Sequence, residues 1–367
     1  MSDWKSTLSA SERYETIQRI QAQKGIPMNE ALPLEVAAYN ESTSKDQYLS
    51  ACLVPTAACP ASPPFTPNEP PQTGSGTNGI TIGRYDDCRP IAEGVTSEVY
   101  CTPRNTALKV ITFHTPPHDP QREAVILEAL KGRPSIIQLE ATFRDQEQRF
   151  VLEFPYLPFT LGHLLEKGPL DDGQRNRIFK DVLFGLREIH SNGIIHRDIK
   201  SSAILLASPS GPAYISDFGT AWSPDHRSKD EPPDGKILDV GTGPYRAPEI
   251  LFGNTAYSTA IDMWSLGVVI SEAITNPPRP IFESRPAHED GNQLGLILSI
   301  FKTLGTPTAD TWPEAKDFKV TPFEMWTVFP GTRWHDILPD VAEEWTEVVA
   351  ALVRYDRKRA TADRVGF

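Results

Sequence analysis

The segment Ile194-Ile195-His196-Arg197-Asp198-Ile199-Lys200 is the most informative stretch of the chain. An apolar pair precedes a His-Arg-Asp triplet, and a lysine follows two residues after the aspartate. Two more short motifs come after it, Ser216-Asp217-Phe218-Gly219 and Ala247-Pro248-Glu249. Each tripeptide alone arises often by chance, so it is the order and spacing of the whole set that carry the information.

Hydrophobic periodicity changes along the chain, with strand-like runs upstream of these motifs and helical patterns downstream. A small sheet domain followed by a larger helical one is a two-lobed α+β plan, and clefts between such domains commonly hold ligands. The predicted strands are Asp87–Ala92, Glu98–Cys101, Thr106–Phe113 and Arg149–Phe154. The predicted helices are Gln121–Leu130, Gln174–Ser191, Thr259–Ala273, Gln293–Leu304 and Ala342–Tyr355.

The first part of the chain contains few signals of folded structure. Seven prolines fall between Pro55 and Pro71, and a Gly/Ser/Thr/Asn-rich stretch follows them. This composition buries too little apolar surface to offset the entropy of ordering, so it predicts a linker. Ser9–Gln23 has the spacing of a short capped helix, for which a solvated tail is the favoured interpretation. The expected domains are a largely disordered extension over 1–78, a small lobe over 79–155 and a large lobe over 156–367.

The composition excludes several classes of function. Lys plus Arg number 36 against 48 Asp plus Glu, and the net charge of −12 disfavours binding to nucleic acid or an anionic membrane. No apolar run reaches the length of a membrane span, and the start of the chain lacks the apolar core of a signal peptide. The four cysteines have neither disulfide-scaffold density nor zinc-site spacing, which predicts reduced thiols. A cytoplasmic or nuclear protein is expected.

The ordered motifs resemble those of eukaryotic protein kinases once Ala107-Leu108-Lys109-Val110 before them and Asp262-Met263-Trp264-Ser265-Leu266-Gly267 after them are included. The resemblance covers roughly residues 82–367. It implies the bilobal protein kinase fold, with a small β-rich N-lobe and a larger α-helical C-lobe. The segment Tyr245–Gly253 resembles the cyclin-dependent and MAP kinase (CMGC) branch, which implies Ser/Thr specificity. Within that branch the chain is most similar to the monomeric fungal kinases that activate cyclin-dependent kinases.

The resemblance implies ATP and Mg²⁺ as cofactors and gives catalytic roles to four charged residues. Lys109 would hold the α- and β-phosphates and pair with Glu123. Asp198 would accept or orient the substrate hydroxyl proton, and Lys200 would steady the γ-phosphate. Asp217 would bind Mg²⁺, because this hard cation takes carboxylate oxygens. The expected nucleotide-binding residues are Ala92, Gly94, Val99, Ala107, Lys109, Leu152, Glu153, Pro155, Leu205 and Asp217.

Two further charged positions are expected to have structural roles. The resemblance implies that Glu249 forms a buried ion pair with Arg359. It also implies that Asp262 braces the backbone of the catalytic loop, the segment His196–Ala203.

Two departures from the family pattern affect the nucleotide and its metal. Of the expected GxGxxG loop only Gly94 remains, and Ala92 and Ser97 add Cβ atoms where the backbone approaches phosphate. Ala203 takes the position of the catalytic-loop asparagine, and a methyl group cannot coordinate Mg²⁺. Ser201 or Ser202 could replace that ligand only if the backbone shifted.

Two more departures concern adenine and activation. Pro155 falls where a hinge N–H usually meets adenine, and proline has no N–H, at a cost of about 0.5–1.5 kcal/mol. In the activation segment, residues 217–249, Ile237 replaces the activating threonine of cyclin-dependent kinases. Arg197 then lacks its usual phosphate partner unless Asp239, or a phosphate on Ser223 or Ser228, supplies the negative charge.

These features favour a protein Ser/Thr kinase, with the activation segment of a cyclin-dependent kinase as a candidate substrate. A monomer that needs no cyclin is expected, because His118–Glu123 does not resemble a cyclin-docking helix. The alternative is a pseudokinase that binds nucleotide or acts as a scaffold, which Ala203 and Ala92 favour. A kinase-fold domain acting on a small molecule is disfavoured by the substrate-gripping segment Gly241–Glu249.

Overall fold

The structure is a computed structural model that describes residues 38, 42, 44–52, 79–94, 96–225, 231–284, 292–324 and 327–365. The chain divides into two compact units, Met1–Gly76 and Thr77–Phe367. In the first unit, helix α1 spans Lys45–Cys52. The predicted helix Ser9–Gln23 and the proline-rich linker lie outside the described residues.

The second unit begins with a six-stranded antiparallel sheet whose strand order is β1-β2-β3-β4-β6-β5. One face of this sheet covers a small apolar cluster that includes Tyr85, Leu108 and Val151. The other face is turned toward the main core. The strands are β1 (Ile80–Ile82), β2 (Tyr85–Glu93), β3 (Ser97–Cys101), β4 (Thr106–Ile111), β5 (Ala141–Arg144) and β6 (Phe150–Pro155).

A single helix, α2 (Pro120–Ala129), interrupts the described strands of this lobe between β4 and β5. Asp119 caps it, because its carboxylate accepts the N–H groups of Gln121 and Arg122, and Pro120 suits the first turn, where no helical partner for its nitrogen exists. The backbone N–H of Asp119 also donates to the carbonyl of Gly219 at 3.0 Å. The start of α2 is thus tied to the Asp-Phe-Gly motif.

The larger lobe is mainly helical and holds most of the apolar core. Asp171 and Gln174 form a capping box at the start of its longest helix. The helix that carries Asp262 is buried on nearly all sides, which explains its continuous apolar sequence. The elements are β7 (Phe159–Thr160), α3 (Leu161–Lys167), α4 (Asp172–Ser191), β8 (Ile204–Leu206), β9 (Ala213–Ile215), α5 (Pro248–Leu251), α6 (Ala260–Ile274), α7 (Asn292–Leu304), α8 (Trp334–Ile337) and α9 (Glu343–Leu352).

The predicted two-lobed α+β fold is confirmed, and each predicted strand and helix of the second unit is present with shifted ends. The strand predicted over Thr106–Phe113 ends at Ile111, because Thr112 and Phe113 both donate to the carbonyl of Thr96 instead of continuing the ladder. The short strands β1 and β5 were not predicted, since three or four residues show too little alternation. No described helix is long and apolar enough to cross a membrane.

Candidate active site

Cross-strand register aligns most of the expected nucleotide-binding residues on one face of the six-stranded sheet. Ala92 pairs with Val99, Val99 with Lys109, and Lys109 with Leu152. Paired residues point to the same face, and so do residues two apart on a strand, which adds Ala107. The sheet therefore presents an apolar row that contains one lysine, a surface suited to an adenine ring next to phosphates.

Three charged side chains meet at the lysine of this row. Lys109 Nζ lies 2.8 and 2.9 Å from the two carboxylate oxygens of Glu123 on α2. The same nitrogen lies 3.0 Å from Oδ1 of Asp217. We call these three residues the cleft triad. One cation faces two carboxylates there, so the triad has an excess of negative charge.

Lys109 and Asp217 of the cleft triad hold each other in the ionised state, whereas burial raises the pKa of Glu123. Burial by itself would lower the pKa of Lys109, but the attraction of Glu123 and Asp217 outweighs it and raises that pKa. The Lys109 ammonium in turn holds the pKa of Asp217 well below its usual range, against the effect of burial. Lys109 and Asp217 are therefore charged at neutral pH, as phosphate and metal binding require.

The catalytic loop is braced from beneath by Asp262 of α6. The Asp262 carboxylate accepts the backbone N–H of His196 at 2.9 Å and that of Arg197 at 2.8 Å. It also bonds to His190 Nε2 at 2.9 Å. The expected bracing role of Asp262 is confirmed, and these bonds fix the strained left-handed backbone of Arg197, with φ of 72°, just before Asp198.

Asp198 lies at the bottom of the cleft between two other polar side chains. The Lys200 ammonium donates to one of its oxygens, and the Thr242 hydroxyl donates to the other at 2.6 Å. Lys200 Nζ also lies 3.9 Å from Oδ2 of Asp217, which places it between the two aspartates. The four predicted catalytic residues thus converge on one cleft.

The Asp-Phe-Gly motif is held by its neighbours on both sides. His196 Nε2 lies 2.9 Å from the carbonyl of Ser216, and the His196 and Phe218 rings meet edge to face with centroids 4.8 Å apart. Asp217 has a left-handed backbone, with φ of 65° and ψ of 63°. Because the motif is anchored by the preceding carbonyl and the following ring, the Asp217 side chain is directed toward Lys109.

Three other residues predicted to bind nucleotide, Gly94, Leu205 and Pro155, lie in different elements of the structure. Gly94 lies in the exposed turn after β2, where its N–H donates to the carbonyl of Ser97 at 2.8 Å. Leu205 lies in β8, which follows directly on the catalytic loop. Pro155 ends β6 opposite Thr106 and contributes no N–H there.

Glu153 is not brought into the cleft. It alternates with Leu152 along β6, so its side chain points to the opposite face of the sheet. There it accepts hydrogen bonds from Tyr85 and from Arg84, the latter at 2.7 Å. Its carbonyl accepts the N–H of Glu140 at 2.8 Å. The side-chain oxygens of Glu153 therefore face away from the cleft, and its nucleotide contact stays a prediction.

The loss of the catalytic-loop asparagine is not compensated by Ser201. Ala203 lies in a 3₁₀ turn, and its carbonyl accepts two bonds of 2.9 Å from the N–H and hydroxyl of Ser216. The Ser201 hydroxyl lies 3.1 Å from the Tyr245 hydroxyl and donates to Glu272. It therefore points away from Asp217 and adds no oxygen to a metal site.

The side chains of the cleft fit a magnesium ion that is shared with a nucleotide. The described residues contain no group of three His, Cys, Asp or Glu side chains arranged as a metal site. Mg²⁺, however, needs only one or two carboxylates when phosphates and water complete its shell. Asp217 is suited to this, since its side chain is 39% exposed and lies beside Lys109 and Lys200.

The activation segment differs from the sequence-based expectation at Arg197. Asp239 pairs with Arg246 at 3.5 Å and not with Arg197, and Ser228 lies outside the described residues. The negative charge comes instead from Glu231, which accepts a hydrogen bond from Arg197 Nη1. The need for a phosphate or Asp239 is thus corrected: a carboxylate from the same segment fills the position.

The Glu249–Arg359 ion pair is present as expected. Arg359 Nη1 and Nη2 donate to the two Glu249 oxygens at 2.5 and 3.1 Å, and both side chains are nearly buried. Arg359 also bonds to the carbonyls of Ala260 and Arg354. The pair therefore links the end of the activation segment to the last part of the chain.

This bilobal fold and cleft are those of a protein kinase. The family model of the protein kinase domain matches residues 85–365, so the chain belongs to that family. Protein kinases generally use ATP and Mg²⁺. The relatives place it further, as a Ser/Thr protein kinase of the cyclin-dependent kinase-like branch.

Two curated relatives illustrate this placement. The serine/threonine-protein kinase csk1 of Schizosaccharomyces pombe is 34% identical over 280 residues, covering 74% of this chain and 89% of that protein. Human cyclin-dependent kinase 20 is 32% identical over 247 residues, covering 65% of this chain and 66% of that protein.

Two solved structures share the fold. The CAK complex of Chaetomium thermophilum bound to ATP-γ-S contains a chain that is 27% identical, with a TM-score of 0.62, over 75% of this chain and 87% of that one. The yeast RNA polymerase II CTD kinase CTDK-1 complex contains one that is 24% identical, with a TM-score of 0.61, over 80% of this chain and 94% of that one. The second likeness concerns the fold alone.

Sequence reasoning missed several residues of the site. Thr242 was not recognised, although a hydroxyl residue in the substrate-gripping segment was available as a signal. Arg122 immediately precedes Glu123, but none of the recognised motifs assigns it a role. Glu231 carried no signal, since it lies in an acidic stretch typical of a solvated loop.

Proposed function

We propose that this chain is an active Mg-ATP-dependent Ser/Thr kinase whose substrate is the activation segment of a cyclin-dependent kinase. The observation that carries the proposal is the assembled cleft, in which Lys109, Glu123 and Asp217 meet within 3.0 Å while Asp198 lies beside them. Phosphoryl transfer needs mainly positioning and charge stabilisation, so this arrangement supplies most of the required chemistry.

Each group has a defined task in this proposal. Lys109 binds phosphate oxygens and is kept charged by the two carboxylates. Asp217 would hold Mg²⁺, which would neutralise phosphate charge. Asp198 accepts the hydrogen bond of the incoming hydroxyl at the place where the Thr242 hydroxyl now donates, and Lys200 is near enough to both aspartates to stabilise the transferred group.

The substrate class rests on likeness and on the absence of an activating threonine. The CAK complex and csk1 are among the similar proteins, and cyclin-dependent kinase-like features recur along the chain. A kinase that acts upstream of cyclin-dependent kinases gains from being active without itself being phosphorylated. A monomer working without a cyclin, in the cytoplasm or nucleus, is part of the same proposal.

A second candidate function is a pseudokinase that binds nucleotide or acts as a scaffold. The specific observation in its favour is Ala203, whose methyl group supplies no oxygen and leaves Asp217 as the one expected metal-binding side chain among the described residues. The cleft triad and Asp198 argue against it, because a chain without turnover has no need to keep all four charges in register.

The test is a radiolabelled phosphotransfer assay on a recombinant inactive cyclin-dependent kinase. Label should enter the wild-type substrate and not a substrate whose activation-segment threonine is replaced by alanine. The Asp198→Asn variant of this chain is the matched control, because it keeps shape and removes the charge that receives the proton. Label in a general substrate but not in the cyclin-dependent kinase would leave the kinase assignment and exclude this substrate.

A further inference from the structure

Beneath the activation segment, a buried cluster joins three parts of the domain through one carboxylate. Glu231 Oε1 accepts from Arg197 Nη1 of the catalytic loop, and Glu231 Oε2 accepts from Arg122 Nη1 of α2 at 3.3 Å. The Glu231 side chain is 1% exposed and that of Arg197 is 0%. We call Arg122, Arg197 and Glu231 the buried bridge.

Other contacts fix Glu231 in this position. The backbone N–H of Ile237 donates to its Oε1 at 3.1 Å, and its own carbonyl accepts Trp222 Nε1 at 3.1 Å. The Tyr257 hydroxyl lies 3.1 Å from Arg197 Nη1 and donates to the carbonyl of Ile237. Ile237 occupies the position of the missing activating threonine, and its backbone N–H thus helps to hold the Glu231 carboxylate in place.

The cluster has more positive than negative charge. Two guanidinium groups share the Glu231 carboxylate, and burial together with the Arg197 charge lowers the pKa of the nearby Lys236 ammonium. Arg122 Nε and Arg197 Nη2 are buried with no hydrogen-bond partner among the described residues. Removing Glu231 would therefore leave Arg122 and Arg197 without the buried carboxylate that pairs with both of them, which is a costly arrangement.

Both arginines of the buried bridge are adjacent in sequence to predicted catalytic residues. Arg197 immediately precedes Asp198, and Arg122 immediately precedes Glu123, which pairs with Lys109. A carboxylate that holds both arginines therefore sets the position of α2 relative to the catalytic loop. Phosphorylation achieves a similar effect elsewhere by adding a charge that arginines can bind.

We infer that Glu231 is a permanent activation-segment anion, a positioning residue that holds α2 and the catalytic loop in the active arrangement without phosphorylation. The inference deepens the proposed kinase function and rests on it for its effect on turnover. Glu231 is buried and bonds to Arg122 and Arg197, so it acts through these two arginines.

The test compares Glu231→Gln, Glu231→Asp and wild type by steady-state kinetics, each well below its melting temperature. We expect Glu231→Gln to lower kcat by at least about tenfold, with KM for the protein substrate nearly unchanged. Glu231→Asp keeps the charge and should recover part of that loss. A Gln variant with wild-type kcat, or an Asp variant no better than Gln, would overturn the inference.

The matched control is Asp145→Asn, which also removes a buried carboxylate from an arginine pair. Asp145 lies in the turn between β5 and β6, where Arg149 Nε donates to it at 2.7 Å. This variant should lose stability while kcat of the folded protein stays at the wild-type value. If Asp145→Asn lowers kcat as much as Glu231→Gln, the effect is one of general destabilisation and the inference fails.

A second readout does not depend on turnover. Hydrogen exchange of the α2 amides, residues 120–129, should be faster by about fivefold or more in Glu231→Gln and unchanged in Asp145→Asn. If Glu231→Gln does not fold, Arg122→Gln removes only the α2 end of the bridge and should give the same two results. If the wild-type protein shows no turnover but α2 exchange is still faster in Glu231→Gln, the proposed function is overturned and the role of the bridge stands. If exchange is unchanged in Glu231→Gln, the role of the bridge is overturned.

Discussion

The cleft triad and the buried bridge are two ion-pair centres with opposite charge balance. In the triad one ammonium faces two carboxylates, and Asp217 remains partly open to solvent. In the bridge two guanidinium groups share one carboxylate, and all three side chains are nearly inaccessible. An excess of negative charge beside a cleft suits a centre that must receive a divalent cation, whereas an excess of positive charge in a closed pocket suits a centre that holds an anion permanently.

The contrast shows how one fold separates binding from positioning. The carboxylate that must exchange ligands, Asp217, is 39% exposed, so water and nucleotide can reach it. Charges that only hold elements together are sealed beneath the activation segment, where low dielectric strengthens each contact and makes an unpaired charge costly.

The largest expected effect comes from breaking the cleft triad. Asp217→Asn removes the metal-binding charge but keeps the Lys109–Glu123 ion pair, whose two charges balance. We therefore expect at least about 1,000-fold less phosphotransfer, with a melting temperature within about 4 °C of wild type. Lys109→Met should also abolish transfer. Assays with purified protein and circular dichroism check both points, and activity near the wild-type rate in either variant would contradict the kinase assignment.

Ala203→Asn adds a neutral amide oxygen, a candidate metal ligand, beside the Asp-Phe-Gly motif, whose preceding residue Ser216 bonds to the Ala203 carbonyl. If the second metal position limits catalysis, this variant should strengthen Mg²⁺-dependent nucleotide binding and raise turnover about tenfold, equivalent to about 1.4 kcal/mol of transition-state stabilisation. A magnesium titration of the rate measures the effect.

A melting shift with Mg-ATP measures binding separately from that rate. At 100 times its dissociation constant the nucleotide should stabilise a binding-competent fold by about 2.7 kcal/mol. No shift and no turnover, in both wild type and Ala203→Asn, would refute the enzyme and leave the pseudokinase alternative.

Asp262 is a buried carboxylate outside the cleft triad and the buried bridge, and its contribution to stability should depend on pH. Burial alone would raise its pKa, but bonds from His190 and from the catalytic-loop backbone lower it below the usual value. A depressed folded-state pKa stabilises the fold above the unfolded pKa near 4, and this stabilisation is lost as pH falls through the lower folded value.

We therefore expect Asp262→Asn to be less stable than wild type by about 1–3 kcal/mol at pH 7, with the difference narrowing below about pH 4. Urea unfolding at several pH values measures it. A difference that stays constant from pH 7 to pH 3 would contradict the role of its charge.

The smallest expected effect is that of phosphatase treatment on the wild-type protein. If Glu231 supplies the anion of the buried bridge, protein made in bacteria should keep its activity after dephosphorylation and without an added cyclin. Kinetics before and after treatment, with mass spectrometry to verify removal of phosphate, are the measurement. Strict dependence on a phosphate or on a partner would contradict the proposed cyclin-free, phosphate-free activity.

Local sequence was sufficient for the parts of the molecule whose chemistry lies in short motifs. The His-Arg-Asp and Asp-Phe-Gly motifs, the lysine of β4 and the helical periodicity of α4 and α6 each reflect constraints between near neighbours, so they could be recognised without a structure. The resemblance that these motifs carry implied the pairing of Lys109 with Glu123 and of Glu249 with Arg359.

Tertiary structure decided which charges meet across long separations. Glu231 follows Arg197 by 34 residues and Arg122 by 109, and nothing in its neighbourhood distinguishes it from an acid in a solvated loop. Its role depends on how the activation segment folds back under α2, a path set by many packing contacts together. The direction of the Glu153 side chain likewise followed from strand register. Motifs therefore identified the reaction, whereas the folded chain alone determined which anion holds the reacting parts in place.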